Sequence, residues 1–535
     1  MASIASFPCD KAIVAATPPG APCAKNAEPW ILAATILASS MAFIDGTVVN
    51  VALPALQRSL GATLADGQWV IEAYELMLAA LLLVGGAAGD RFGRRRVFVV
   101  GVIVFVAASI ACGVSDRVGV LIVGRAIQGV GGAMLVPGSL AIISASFDKN
   151  RRGRAIGTWS AFTAITTAFG PVLGGFLIDH GSWRYAFFLN VPLALAALML
   201  TFRYVPESRG EGRADRIDWG GAMLAAIGLG GVVYALIEAQ PAGWADRAVL
   251  GALAVGILAL AAFIMVELRQ SAPMLPLRLF RSRDFAGTNM LTLLLYAALG
   301  GSLFFLPLNL IQVQGYSTAA AGAALLPFVL LMFALSRRAG GLVERHGARL
   351  PLVIGPAIAA CGFALFALPG VGGSYWTTFF PAAVVLGFGM TLTVAPLTTT
   401  VMQSVPPDTV GIASGINNAV SSVAGLLAIA SFGTVMSLTF EGEVHRALAA
   451  ADLPPAVVAA VASQRAKLAA IDAASIAVPE MRASIQGAIA DAFVSGFRRI
   501  MGIAALLALA SALSAWLMIG GGGRPAAPAS ARRHR

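Results

Sequence analysis

Fourteen apolar runs of about 20 residues divide this chain, the first centred near Leu37 and the last near Leu507. Each is long enough to cross a hydrocarbon core of roughly 30 Å as an α-helix. Inside a bilayer no water satisfies backbone N–H and C=O groups, so such runs must pair those groups within themselves. The rest of the composition agrees: 58% of the 535 residues are hydrophobic and 12% are charged. A soluble fold could not hide that much apolar surface, so the lipid bilayer is the solvent. The even number of runs puts both termini on one side.

The formal charge of +11 is placed by topology. Arg91, Arg94, Arg95 and Arg96 fall in the second connection, and Lys149, Arg151, Arg152 and Arg154 in the fourth. The sixth, eighth and tenth connections and the C-terminal tail carry four basic residues each, while the alternate ones hold few, such as Arg58, Arg117 and Arg247. This asymmetry puts both termini in the cytoplasm and excludes a nucleic-acid footprint. The four cysteines have no zinc or disulfide spacing, and residues 1–29 form a tail without the pattern of a signal peptide.

The chain also repeats itself. The passage 89–95, GDRFGRR, is echoed by 343–349, VERHGAR, about 255 residues later, and Asp148, Gly153 and Gly157 by Asp408, Gly411 and Gly415. Six helices occupy only about 190 residues, so the surplus matches an inserted helix pair at 207–270. The expected order is a six-helix bundle at 30–206, the insert as peripheral scaffold, a second bundle at 271–519 and a basic tail at 520–535. Within the second bundle, 441–496 reads as a long external connection with amphipathic helices, acting as a lid or an inert cap. Duplicated bundles of this kind place a transport pathway between the repeats.

Charged groups at membrane depth each cost about 2.5–3.5 kcal/mol on insertion scales and need a reason. Counted from the outer helix ends, Asp45 lies about 16 Å down, Glu75 about 12 Å, Arg125 about 10 Å and Glu72 about 7 Å. These four form a candidate proton-coupling site, with Glu72 near enough to the interface to be wet. Burial disfavours a charged carboxyl and a nearby guanidinium favours it, so relative movement of Arg125 and an acid would load and release a proton. A static ion pair that fixes helix packing is the other reading.

Asp90, Arg91, Gly93 and Arg94 read either as a cytoplasmic anchor or as a salt-bridge latch. Gln128, Asn417 and Asn418 are candidate pathway residues, or else bond and pack between helices. The stretch 157–175 contains Gly157, Gly170, Pro171, Gly174 and Gly175, which bend a helix and admit another backbone closely. No nucleophile–base pair or metal-spacing cluster appears on the helices, so no catalytic or metal-ligating residue is assigned.

These residues resemble a known family. Residues 86–96 look like the loop 2–3 signature of the major facilitator superfamily, and Arg125-x-x-Gln128-Gly129-x-Gly131 its helix-4 signature. Gly157 through Gly175 is similar to the antiporter signature of helix 5, with Thr166 standing where glycine is usual. Residues 44–54 and 183–192 resemble the fourteen-helix drug:proton antiporters of EmrB/QacA type. The resemblance implies a major facilitator fold and proton-driven export of amphipathic, cationic or neutral compounds from a bacterial cytoplasmic (inner) membrane. Coupling would involve Asp45 and Arg125, with gating by Asp90. The energy source would be the proton gradient, without a cofactor. The partners would be substrate, protons and lipid, with an adaptor protein where the cell has an outer membrane. A passive facilitator or metabolite exporter of the same fold is the alternative. The absence of an acid between Thr318 and Ser336 argues against handling of dications, and Thr166 implies looser packing of helix 5.

Overall fold

Every regular element in the described residues is helical, in a computed structural model that describes residues 27–209, 218–270, 273, 275–406, 409–451, 454–472, 476 and 479–520. The two tails and Asp408 of the repeat lie outside the described residues, apart from the few residues nearest the first and last helices. Among the described residues fourteen helices are long and apolar enough to span a membrane. They are α1 (Glu28–Leu60), α2 (Leu64–Phe92), α3 (Arg94–Gly113), α4 (Val118–Ser146), α5 (Lys149–Asp179) and α6 (Tyr185–Tyr204). Next come α7 (Trp219–Ala242), α8 (Arg247–Arg269), α9 (Arg283–Val313) and α10 (Thr318–Ser336). The last four are α11 (Arg349–Phe366), α12 (Tyr375–Gln403), α13 (Val410–Ala450) and α14 (Pro479–Met518).

Helices α1 to α6 pack as one bundle and α9 to α14 as another. Lipid supplies no hydrophobic drive between helices, so close packing must come from small residues. The seam of α3 with α4 shows it: a Cβ on Gly131 would stand 2.6 Å from the backbone nitrogen of Phe105. The two bundles meet along α5 with α10 and α2 with α13. The hydrogen bonds that join them lie at the face opposite the arginine-rich connections. Gln312 Nε2 at the end of α9 donates to Gln57 Oε1 at the end of α1 (2.8 Å), and Gln68 Nε2 of α2 donates to the Ile429 carbonyl of α13 (2.6 Å). Near the basic face, a Cβ on Gly153 or Gly157 of α5 would meet nothing within 4 Å. The bundles are therefore drawn together at one end and stand apart along α5 at the other.

The insert is not all peripheral scaffold. Helix α8 exposes Val255, Leu258, Met265 and Leu268, as a lipid-facing outer helix does. Helix α7 instead wedges against both bundles. Gln240 Nε2 donates to Gln68 Oε1 of α2 (3.0 Å), and Ser437 Oγ of α13 donates to Gln240 Oε1 (2.9 Å). Trp69 Nε1 of α2 donates to Glu238 Oε1 (2.8 Å). Around these bonds Leu229, Val233 and Ile237 of α7 pack with Leu426 and Ala430 of α13.

The connection after α13 is shorter than 441–496. Its Ala-rich start continues the helix to Ala450, so α13 runs 41 residues and α14 runs 40. Phe440, Val444 and Leu448 share a buried cluster with Ile485, Ile489 and Phe493. Between the two helices lie a short helix, Pro455–Ser463, and a tight turn tied back by the Arg465–Glu441 ion pair at 3.1 Å.

Candidate functional site

Helices α1 and α4 bring Asp45 and Arg125 into a buried ion pair, with Arg125 1% and Asp45 1% exposed. Both groups make further hydrogen bonds. Gln128 Nε2 and Asn190 Nδ2 donate to Asp45 Oδ1 at 2.7 and 2.9 Å. Arg125 Nη1 donates also to Gln128 Oε1 (2.6 Å), and Nε to the Val70 carbonyl (2.8 Å). Ser109 Oγ accepts from Gln128 and Asn190. The guanidinium lies 4.4 Å from the Tyr74 ring centroid, within cation–π range. Five helices of the first bundle thus contribute to one charge centre, which suits the high cost of burying charge without partners.

Gln128, a candidate pathway residue, belongs to this centre in the arrangement seen. It is fully buried, and its amide bridges acid and base. Ser109 was not singled out from the sequence, and Asn190 entered only as part of the 183–192 resemblance, with no role at this centre. Asn190 stands 145 positions from Asp45, and only the packing of α6 on α1 reveals the pairing.

Glu75 and Glu72 do not join the pair. Glu75 lines a cavity of about 270 Å³ between the bundles, with Gly46 and Asn50 of α1, Tyr296 and Leu303 of α9 and Ser422 of α13 among its walls. Glu72 is not wet. It is fully buried, with neither carboxylate oxygen hydrogen-bonded. It falls on the stripe of α2 carrying Ala65, Trp69 and Leu76, which α7 and α13 cover. A reading of α2 alone has no access to that cover.

At the basic face, Gly93 breaks α2 from α3 with φ +112°, a conformation that costs glycine least. Arg94 Nε donates to Asp90 Oδ1 at 2.8 Å, and Arg91 stacks on Phe92. Glu207, beyond α6, accepts the backbone N–H of Arg95 (3.1 Å). Asp90 is therefore held by its own loop, and Glu207 is the acid that sequence reading missed.

In α5, Gly170 and Gly174 face α1, where Cβ atoms would meet Thr47 and Val48. Gly175 and Pro171 face α10. A Cβ on Gly175 would stand 2.5 Å from the Thr318 carbonyl, and the Pro171 carbonyl lies against Gly322. Gly157 has open space around it. Thr166 does not loosen the packing, because its Oγ1 lies 3.1 Å from Ser40 Oγ of α1, within hydrogen-bond distance. Asn417 Nδ2 bonds across helices to Thr292 Oγ1 of α9 (2.7 Å), while Asn418 is exposed. Among the described residues no group of His, Cys, Asp or Glu is arranged to hold a metal ion.

The family model described as Major Facilitator Superfamily matches residues 35–429. The chain belongs to the major facilitator superfamily. This major facilitator is 33% identical over 491 residues to a tetracenomycin C resistance and export protein of Streptomyces glaucescens, covering 91% of this chain and 90% of that one. It is 37% identical over 410 residues to the puromycin resistance protein pur8 of Streptomyces alboniger, covering 76% and 81%. It is 35% identical over 428 residues to the multidrug resistance protein Stp of Mycobacterium tuberculosis (strain ATCC 25618 / H37Rv), covering 78% of each. Its fold is similar to a bacterial homologue of the human lysosomal transporter Spinster, crystallised inward-facing and unoccupied. The TM-score there is 0.68 at 18% identity, over 94% of this chain and all of that one. This major facilitator is a multi-pass membrane transporter.

Proposed function

We propose that this transporter is a proton-coupled antiporter that exports small amphipathic compounds, cationic or neutral, by alternating access. Its basic connections and both termini lie in the cytoplasm of a bacterial cell with the protein in the inner membrane. The observation that carries the reading is the Asp45–Arg125 pair, buried in the bundle that also carries Pro171 inside α5. Relatives named for resistance to tetracenomycin C and puromycin support export. One proton moving down about 100 mV supplies about 2.3 kcal/mol, before any pH gradient.

The coupling works through competition for Arg125. In the arrangement seen, Asp45 holds the guanidinium and is held by Gln128 and Asn190. Rocking of α5 and α4 separates the pair, Asp45 takes a proton from outside, and re-pairing on return releases it inward. The completeness of Asp45's bonding also favours a second reading, a passive facilitator in which the pair is purely structural. Proteoliposomes loaded with dye separate the two. Collapse of the proton gradient stops transport in an antiporter and leaves a facilitator unchanged. Substrate-induced proton release that survives Asp45→Asn intact would remove Asp45 from the coupling role.

A further inference from the structure

The inter-bundle cavity has a polarity that the export reading does not by itself supply. Asp45, Glu72 and Glu75 of the first bundle each lie at or beside a lining residue, yet only Glu75 lines the cavity. Asp45 is closed off by Arg125, Gln128 and Asn190. Glu75 opens on the cavity, and among the described residues its carboxylate forms no hydrogen bond or ion pair. Its Oε1 lies 3.8 Å from where a Cβ on Gly46 would stand, so the glycine leaves the carboxylate uncovered.

Two further polar side chains in the lining, Asn50 and Ser421, have their donors turned to backbone carbonyls. Asn50 donates to the Gly46 carbonyl at 3.4 Å, which leaves its buried Oδ1 with no donor. Ser421, which lines the cavity, donates its Oγ hydrogen to the Asn418 carbonyl, so its remaining capacity is as an acceptor. No Lys, Arg or His lines the space. The hydroxyls of the lining can donate or accept, and its one charged group is the Glu75 carboxylate, which calls for a ligand that brings N–H groups and positive charge. Tyr296 adds a ring face to which a cation is attracted, and Leu299, Leu303 and Ile429 give an apolar wall.

We propose that Glu75 is the charge-selecting residue of a substrate site in this cavity, which takes a small amphipathic monocation bearing N–H donors. The site has one carboxylate, so a dication would leave a second charge uncompensated in a low-dielectric space. A volume of about 270 Å³ suits a compact ligand. This assignment rests on the export reading for its biological use but not for the binding itself.

The test uses the full chain in nanodiscs with two fluorescent probes, the monocation ethidium and the neutral dye Nile red. Glu75→Gln is expected to weaken ethidium binding tenfold or more and to leave Nile red within twofold. Glu75→Asp, which keeps the charge, is expected to stay within about threefold for ethidium and serves as the variant of intact charge. The proposal is overturned if the wild-type chain does not bind ethidium, if Glu75→Gln binds it as the wild type does, or if both probes are lost together while Glu75→Asp also loses ethidium. Energised efflux of ethidium and of Nile red from vesicles is a separate arm. Failure of both dyes to leave with ethidium binding intact removes the export reading and leaves the site standing.

Discussion

Asp179, the last residue of α5, accepts the backbone N–H of Ala319 of α10 at 2.8 Å and that of Thr318 at 2.9 Å. A carboxylate of one bundle thus caps the first turn of a helix in the other, at the end where the bundles meet. An exposed anion at a helix N-terminus contributes about 0.3–1 kcal/mol. Asp179→Ala is expected to shift the population toward opening at that face by up to about fivefold. Spin labels placed through His180→Cys and Ala320→Cys, in a background without other cysteines, would report it as a longer distance distribution.

Removing one partner of the buried ion pair leaves the other uncompensated, at a cost of about 3–5 kcal/mol. Asp45→Asn is therefore expected to lower the thermal midpoint of the purified protein markedly. Asp45→Asn combined with Arg125→Gln should recover much of that loss, since neither charge remains. The double variant should still lack coupled transport. A thermal melt beside a proton-release assay separates the structural cost from the functional one.

The α5 glycines divide by what surrounds them. Gly157→Ala should change stability by less than about 0.5 kcal/mol, because a Cβ there meets open space. Gly174→Val drives a side chain into Val48 of the same bundle and should destabilise by about 1–3 kcal/mol. Gly175→Val meets the backbone of α10 instead. It should spare the thermal midpoint more than Gly174→Val does while blocking closure, read as lost transport with longer α5–α10 label distances.

Gln68, Gln240 and Ser437 join α2, α7 and α13 through side-chain bonds. Truncating Gln240 to Ala leaves buried polar groups unpaired, at about 1–3 kcal/mol. A double-mutant cycle of Gln68→Leu and Gln240→Leu should return a coupling of about 0.5–3 kcal/mol. Strict additivity in the melts would mean that α7 does not clamp the two bundles.

The number and placement of the spanning helices were legible because the bilayer imposes length and apolarity on each segment separately. The approach of Asp45 to Arg125 was legible too, since helix rise converts position into depth. Depth says nothing about azimuth, and there the reading ran out. Glu75 and Arg125 lie at similar depths but face different spaces. Glu72 was expected to meet water because its own helix end is near, whereas its cover comes from α7 and α13, over 150 residues away. Gln128 sits in a small-residue stripe that reads as packing, and only Asp45 opposite it shows why an amide is there. Glu207 carries no local pattern at all. Its role depends on the end of α6 folding back onto the Gly93 turn.

Helix α13 contributes Ser421, Ser422 and Gly425 to the cavity wall and continues unbroken to Ala450. From Gly425 to Ala450 the helix rises about 38 Å. A tilt of about 10° at the cavity, too small to part the side chains there, would swing Ala450 through about 6–7 Å. The overlong helix is thus a lever arm, magnifying at the membrane's far surface whatever small adjustment a bound molecule makes at its fulcrum.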